Sequence, residues 1–153
     1  MLEMALADVK NADALTRTRE GRGSSITYVT GHLMYARTVI LNLVGAHEGN
    51  AFQDLFGWGV PIREASAYPE IQEIRKEWSE LARTFQTVLC GLSDEQVLAP
   101  YTGGVPGPDP TIRGTIEGLC WHESYHLGQV GLIRAELGYP TTEELFRNAH
   151  ESG

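Results

Sequence analysis

Four stretches of this sequence carry apolar residues at helical spacing, and no stretch shows the sustained alternation of a strand. They are predicted as helices at about 2–20, 26–44, 69–90 and 111–137, with a short fifth helix at about 141–148. The second is apolar around most of its circumference, so it is predicted to be largely buried. Because such helices can bury their apolar faces against one another, the sequence favours an all-α helical bundle.

The connections between the predicted helices differ in length. The first two helices are joined by a few residues and are expected to be antiparallel neighbours. Residues 45–68 can span the second helix, which is about 28 Å long at about 1.5 Å per residue, so a long crossover between helices two and three is expected. Residues 92–110 are rich in Gly and Pro and are predicted to be irregular. No repeat or composition shift marks a second domain, so 1–153 is predicted to be a single domain.

The composition argues against two classes of partner. Twelve Lys and Arg against twenty Asp and Glu give a formal charge of −8. Because nucleic-acid binding depends on cations that neutralise phosphates, we expect no nucleic-acid partner. No run approaches the roughly 20 apolar residues of a membrane span, and the first residues do not resemble a secretory signal. We therefore expect no membrane partner and a cytoplasmic location.

Two cysteines and two tryptophans are interpreted as packing residues. Cys90 and Cys120 lie in predicted helices without CxxC spacing, and we expect both to be buried thiols in a reducing compartment. Trp58 and Trp121 are expected to pack within the protein rather than to contact a ligand.

Three histidines occupy unusual positions. His122 and His126 are four residues apart on the fourth predicted helix, so they project from one face, beside the apolar stripe. Two imidazoles in an apolar interior each need a polar partner, or cost about 1–3 kcal/mol. A shared metal ion would satisfy both, and His32, near the middle of the second helix, is the expected third ligand. Three protein ligands leave a coordination position open, which is typical of a reactive metal site.

Two other interpretations of these histidines stay open. A lone buried histidine is often a hydrogen-bonded core residue, and an i,i+4 pair is often a coincidence. The string HESYH at 122–126 also matches the HExxH motif of zinc proteases, with Glu123 as the general base. Proteolysis is disfavoured because Gln129 stands where the longer motif requires glycine, and because no strand pattern provides a substrate-binding edge.

Four further residues are candidates for roles near the histidines. Tyr28, Tyr35 and Glu123 are candidate catalytic proton carriers. Gln129, one turn beyond His126, is a candidate hydrogen-bonding partner for a ligand histidine or a cofactor.

Three segments resemble the DinB-like superfamily, which includes YfiT-like relatives. WHESYHLGQVGLIRAELG at 121–138 resembles its last-helix motif, with the core H-x-x-x-H-x-G-Q. The segments at 24–45 and 67–96 resemble its second and third helices, the former with its single histidine. The resemblance thus covers about 24–138. The chain departs from the family pattern before the second helix, where the first helix looks short and a tryptophan is absent.

The resemblance implies a four-helix bundle in up-down-down-up order and a homodimer. It also implies one divalent ion, nickel or zinc, held by three histidines that match His32, His122 and His126. Characterised relatives include metal-dependent transferases that use a low-molecular-weight thiol, and proposed hydrolases. We therefore expect a metal-dependent enzyme that transfers such a thiol to an electrophilic small molecule. The alternatives are a metal-dependent hydrolase and a non-catalytic dimeric protein that binds metal or ligand.

Overall fold

The computed structural model describes residues 1–46, 49, 52–101 and 107–151. Its helices are α1 (Leu2–Ala7), α2 (Asn11–Leu15), α3 (Ile26–Leu43), α4 (Gln53–Phe56), α5 (Ile71–Cys90), α6 (Asp94–Leu98), α7 (Ile112–Glu136) and α8 (Thr142–Glu151), with a 3-10 turn at Ala65–Ala67. Across these ranges the chain is all-helical, with no strand and one isolated bridge between Pro100 and Thr111. The predicted fold class is confirmed at this level.

Helix α3 lies at the centre of the fold. It packs against α5 and α7, and α2 and α4 contact it as well. Its N-terminus is capped by Ser25, whose hydroxyl accepts a hydrogen bond from the Tyr28 amide at 3.2 Å. Its C-terminus is followed by Gly45, whose φ of +85° suits glycine. Eleven of its eighteen residues are buried, so the prediction of a largely buried second helix is confirmed.

The starts of α5 and α7 follow their capping residues. The sequence predicts Pro69 as the first residue of the third helix, but α5 begins at Ile71. Glu70 and Glu73 form a capping box, each side chain accepting from the other's backbone N–H, and this box sets the start. Helix α7 starts directly after Thr111, whose hydroxyl accepts from the Gly114 amide at 3.0 Å, close to the predicted boundary.

The prediction of one helix over 2–20 is wrong. Helix α1 ends at Ala7, and α2 is a separate helix of five residues. Asp8 follows α1 and bonds through both carboxylate oxygens to Arg134 of α7. Arg19 and Glu20 have φ values of +52° and +56°, which a right-handed helix cannot accommodate.

Arg134 ties the two ends of the fold together. Its side chain is fully buried, and it donates to the Ala5 carbonyl at 2.5 Å, to Asp8 at 2.7 and 3.0 Å, and to the Pro140 carbonyl at 2.7 Å. Helix α1, helix α7 and the turn before α8 therefore share one guanidinium group. The hydrogen bond from Arg134 lowers the pKa of Asp8 below its ordinary value, so this carboxyl group is ionised at neutral pH.

The two long connections contain helical turns. Residues 92–110 include α6, with a Ser93–Gln96 capping box, so the prediction of irregular structure is wrong for that part, and 102–106 lie outside the described residues. The crossover at 45–68 contains α4 and the 3-10 turn, and its residues 47, 48, 50 and 51 lie outside the described part.

The predicted packing residues lie at the surface. Cys90 and Cys120 are both exposed free cysteines. Trp58 is 83% exposed and Trp121 is 71% exposed, and the Trp121 ring stacks on Tyr125 at 6.0 Å instead of packing in the core. These predictions are wrong because the four residues occupy solvent-exposed helix or loop positions rather than buried ones.

In the described part of the chain, none of the helices combines the length and the apolar character that crossing a lipid bilayer requires.

We expect Asp8→Ala to destabilise the protein, because it leaves the buried Arg134 guanidinium without its carboxylate partner. The Asp8 side chain is 44% exposed, so the expected loss of unfolding free energy lies at the lower end of that for broken buried pairs, about 3 kcal/mol. Urea unfolding followed by circular dichroism measures it. Glu143→Ala removes an exposed ion pair with Arg147 and serves as the control, with little change expected. Equal urea midpoints for Asp8→Ala and Glu143→Ala would show that the buried Arg134 does not depend on its carboxylate partner.

Candidate metal centre

His32 is oriented by the packing of α4 on α3. Gly31 precedes it, and a Cβ atom at Gly31 would lie 2.4 Å from the Phe56 ring. Glycine at this position therefore lets Phe56 of α4 pack directly on α3, where it is fully buried. The His32 ring in turn hydrogen bonds to the Phe56 backbone. The close helix contact thus brings a backbone partner to one side of the imidazole.

His122 and His126 lie one turn apart on α7, and their ring centroids are 4.5 Å apart. The Nδ1 atom of His126 lies 2.8 Å from the side-chain oxygen of Gln129. Because an amide oxygen only accepts, Nδ1 is the donor of this contact, which leaves Nε2 as the nitrogen that can bind a metal. Gln129 therefore occupies the position proposed for it from the sequence, as a hydrogen-bonding partner of His126.

The three imidazoles converge across the α3–α7 contact. The His32 ring centroid lies 5.0 Å from that of His122 and 5.1 Å from that of His126. One ring nitrogen from each residue lies within 4.8 Å of the others, and among the described residues no carboxylate or thiol joins this group. We call these three residues the histidine cluster. It could hold a metal ion.

The distance between two nitrogen atoms of the histidine cluster suits a shared ion. Nε2 of His32 and Nε2 of His122 are 3.1 Å apart. Nitrogen ligands at about 2.0–2.1 Å from a tetrahedral ion are about 3.4 Å apart, so small movements would accommodate one. The bond from the His32 ring to the Phe56 backbone is of the kind that histidine ligands usually make to fix their rings.

Burial favours the uncharged form of two of these histidines. The pKa of His122 is lowered from 6.5 to about 4, first by burial and then by its two histidine neighbours. Burial and the proximity of His126 also lower the pKa of His32, against the opposing effect of its bond to Phe56. Nδ1 of His122 is buried without a hydrogen-bond partner, so the neutral ring still lacks one polar contact. Neutral imidazole is the form that binds transition metals, and the donor set therefore fits such an ion.

Two tyrosines border the histidine cluster. Tyr28 lies parallel to the His32 ring at 6.5 Å, and burial, followed by the nearby Tyr68, raises the pKa of its phenol. Tyr125, which sequence reasoning alone does not single out, contacts His126 edge-on at 5.1 Å. Tyr35, the other sequence candidate, lies against Gly57 in the turn after α4.

Glu123 is directed to a different partner. Its two oxygens accept from Nε and Nη2 of Arg37 on α3 at 2.5 and 2.9 Å. The Arg37 guanidinium also lies over the Trp78 ring of α5 at 4.0 Å. This bidentate pair joins α3 to α7 close to His122, and Glu123 does not join the histidine cluster, as the base of an HExxH protease would need to approach it. Arg37 is the only Asp, Glu, Lys or Arg in α3, which is the sequence signal that could have identified it.

Comparisons with known proteins identify the family. Neither the curated proteins nor the solved structures contain a match to this chain. The sequence model of the DinB superfamily matches residues 1–130, which include all three members of the histidine cluster. Because the match spans most of the chain and agrees with its all-helical fold, the chain belongs to the DinB superfamily.

Proposed function

We propose that this protein is a divalent-metal-dependent enzyme that transfers a low-molecular-weight thiol to an electrophilic small molecule. The observation that carries the proposal is the convergence of His32, His122 and His126 on one point between α3 and α7. Among the residues that the structure describes, no fourth His, Cys, Asp or Glu joins the three nitrogen donors, and such a set suits a catalytic rather than a structural ion. Nickel or zinc is the proposed ion, since imidazole suits both.

Each nearby residue has a role in this proposal. The three histidines hold the ion, while Gln129 and the Phe56 backbone fix the rings of His126 and His32. The bound ion would favour thiolate over thiol, so a nucleophile is available at neutral pH. Tyr28 stays protonated at neutral pH and supplies a hydrogen-bond donor beside His32.

The proposed transfer balances without a redox partner. The thiol proton passes to solvent, the sulfur forms a bond to the electrophilic carbon, and the leaving group departs with its bonding electrons. A chloroarene, which releases chloride, is a suitable test electrophile.

The finer architecture is also proposed rather than observed. We infer an up-down-down-up bundle with α3, α5 and α7 as three of its long helices, supported by the packing of α5 and α7 on α3.

We also propose a homodimer, as the family resemblance implies. Sedimentation velocity tests the dimer, and a monomer at all accessible concentrations would exclude it.

We expect purified wild-type protein to bind about one transition-metal ion per chain after reconstitution. His32→Ala and His122→Ala should each lose most of it, because two imidazoles form a weak site. Elemental mass spectrometry of dialysed protein gives the stoichiometry. His150→Ala is the matched control, since His150 is an exposed histidine of α8 whose ring contacts that of Phe146 edge-on. Metal retained in all variants, or absent from the wild type, would refute the site.

We expect the metal-free protein to lose stability as the pH falls from about 6.5 towards 4. In this range unfolded His122 binds a proton at its ordinary pKa of 6.5, whereas the folded residue does so only at about 4, so protons favour unfolding. Urea unfolding at several pH values should show a smaller loss for His122→Asn than for wild type. His150→Asn should follow the wild type. If the free energy of unfolding fell equally with pH in wild type and in His122→Asn, His122 would not be protected from protonation in the folded protein.

We expect the metal-loaded protein to accelerate the reaction of a low-molecular-weight thiol with a chloroarene. His126→Ala removes a metal ligand and should lower the rate by about 100-fold or more. This exceeds the usual effect of losing a residue that only hydrogen bonds to a ligand. Chloride release and mass spectrometry of the thioether measure it. Equal rates for wild type and His126→Ala would refute the transferase proposal. Metal-dependent ester cleavage without thiol would indicate a hydrolase instead.

A further inference from the structure

The part of α7 that carries His122 and His126 contains no buried residue. The buried residues of α7 stop at Leu119 and resume at Val130. The structure describes all of residues 120–129, and each of them is half-buried or exposed. These ten residues correspond to about 15 Å of helix, or almost three turns. The section of α7 that supplies two of the three histidines is therefore the section that is least anchored by burial.

The apolar contacts on the two sides of this section belong to separate clusters. Leu119 packs with Ala36 and Ile40 of α3 on one side. Val130 belongs to the larger core cluster on the other side, and the half-buried Leu127 packs against that cluster. The histidine cluster thus lies between two apolar contacts rather than within one.

Two polar contacts join α3 to α7 along this section. In the described part of the chain, the side-chain hydrogen bonds between these helices are the contact of His32 with His122 and the bidentate pair of Arg37 with Glu123. An ion shared by the imidazoles would replace the first contact. The Arg37–Glu123 pair would then be the polar link that remains between the two helices.

The position of Arg37 is fixed by two aromatic rings of α5. Its guanidinium carbon lies 4.0 Å from the centroid of the Trp78 ring and 5.0 Å from that of Phe85. The side chains of Arg37 and Glu123 are only 14% and 24% exposed. A guanidinium group over an aromatic face at these distances is attracted to the ring. Helix α5, which supplies no histidine to the cluster, therefore holds the group that holds Glu123.

The pair restrains the rotation of α7 as well as its distance from α3. Two parallel hydrogen bonds hold a carboxylate in one orientation relative to the guanidinium plane. Glu123 follows His122 directly and precedes His126 by three residues, so a rotation of α7 that moved the imidazoles would also break these bonds. Apolar contacts are not directional and resist such a rotation less.

We propose that Arg37 and Glu123 are positioning residues that set the metal affinity of the histidine cluster, with Trp78 and Phe85 holding Arg37 in place. This inference rests on the metal site of the proposed function, and neither residue contacts the ion. A largely buried ion pair is weak evidence for a role in stability, since well-packed apolar residues often replace one without loss. Stability and metal affinity should therefore respond differently when the pair is removed.

The test replaces the pair with apolar residues in the double variant Arg37→Met/Glu123→Leu. Urea unfolding of the metal-free protein should show little or no loss of stability. The Kd for Co²⁺, measured by competition with a chromophoric chelator, should rise about 10–100-fold, as is usual when residues that orient metal ligands are lost. At saturating Co²⁺ the visible absorption bands should differ from those of wild type, because these bands report the arrangement of the ligands.

Glu117→Ala is the matched control for this test. Glu117 lies on the same helix, but its ion pair is with Arg113 and stays within α7. This variant should keep the Kd and the absorption bands of the wild type. A rise in Kd as large as that of the double variant would show that any charge removed from α7 has the same effect, and would overturn the proposal.

A second variant covers the case in which the double variant loses its fold or its stability. Glu123→Gln keeps the shape of the side chain, but its amide nitrogen cannot accept, so the bidentate link is broken and the Kd should rise about tenfold. A wild-type Kd in either folded variant overturns the proposal. Wild-type absorption bands overturn it as well, since the imidazoles would then keep their arrangement without the pair. Absence of Co²⁺ binding by the wild type would refute the metal site itself, whereas an unchanged Kd refutes only the positioning role.

Discussion

The burial of α3 is the constraint on which the rest of the structure depends. Helices α5 and α7 each pack on α3, and α4 is held against it through the contact of Phe56 with Gly31. A helix that is apolar around most of its circumference cannot remain exposed to water, so its neighbours are forced to surround it. The relative placement of α4, α5 and α7 is therefore set largely through their shared partner.

The histidine cluster and the Arg37–Glu123 pair place polar groups in the contact between α3 and α7. Both bridge α3 and α7, and their members are neighbours along the chain, since Glu123 follows His122 directly. A bidentate ion pair fixes orientation as well as distance, so the pair restrains rotation of α7 beside the histidines. The polar groups that bridge the two helices therefore also limit how far the three imidazoles can move apart.

The long helices and the histidine cluster could be predicted from the sequence because both follow from helical periodicity. His122 and His126 face α3 for the same reason that Leu119 and Val130 do. The apolar stripe on this helix therefore predicts the direction of all four side chains. The break after Ala7 could not be predicted in this way, because it depends on Arg134, which is more than a hundred residues away in the chain. The roles of Arg37 and Phe56 likewise come from contacts between helices. The exposure of Trp121 shows that an aromatic residue in a helix is not evidence of burial when it lies on the outer face.

The Arg134 network has a consequence for the cooperativity of unfolding. Helix α1 has only six residues, and a helix of that length has little stability of its own. The Ala5 carbonyl and the carboxylate that follows the helix are bound by Arg134 of α7, which also holds the turn before α8. Fraying of α1 therefore uncovers a buried charge and loosens the start of α8 at the same time. The amides at both ends of the chain should accordingly exchange with solvent as one cooperative unit rather than as two independent termini.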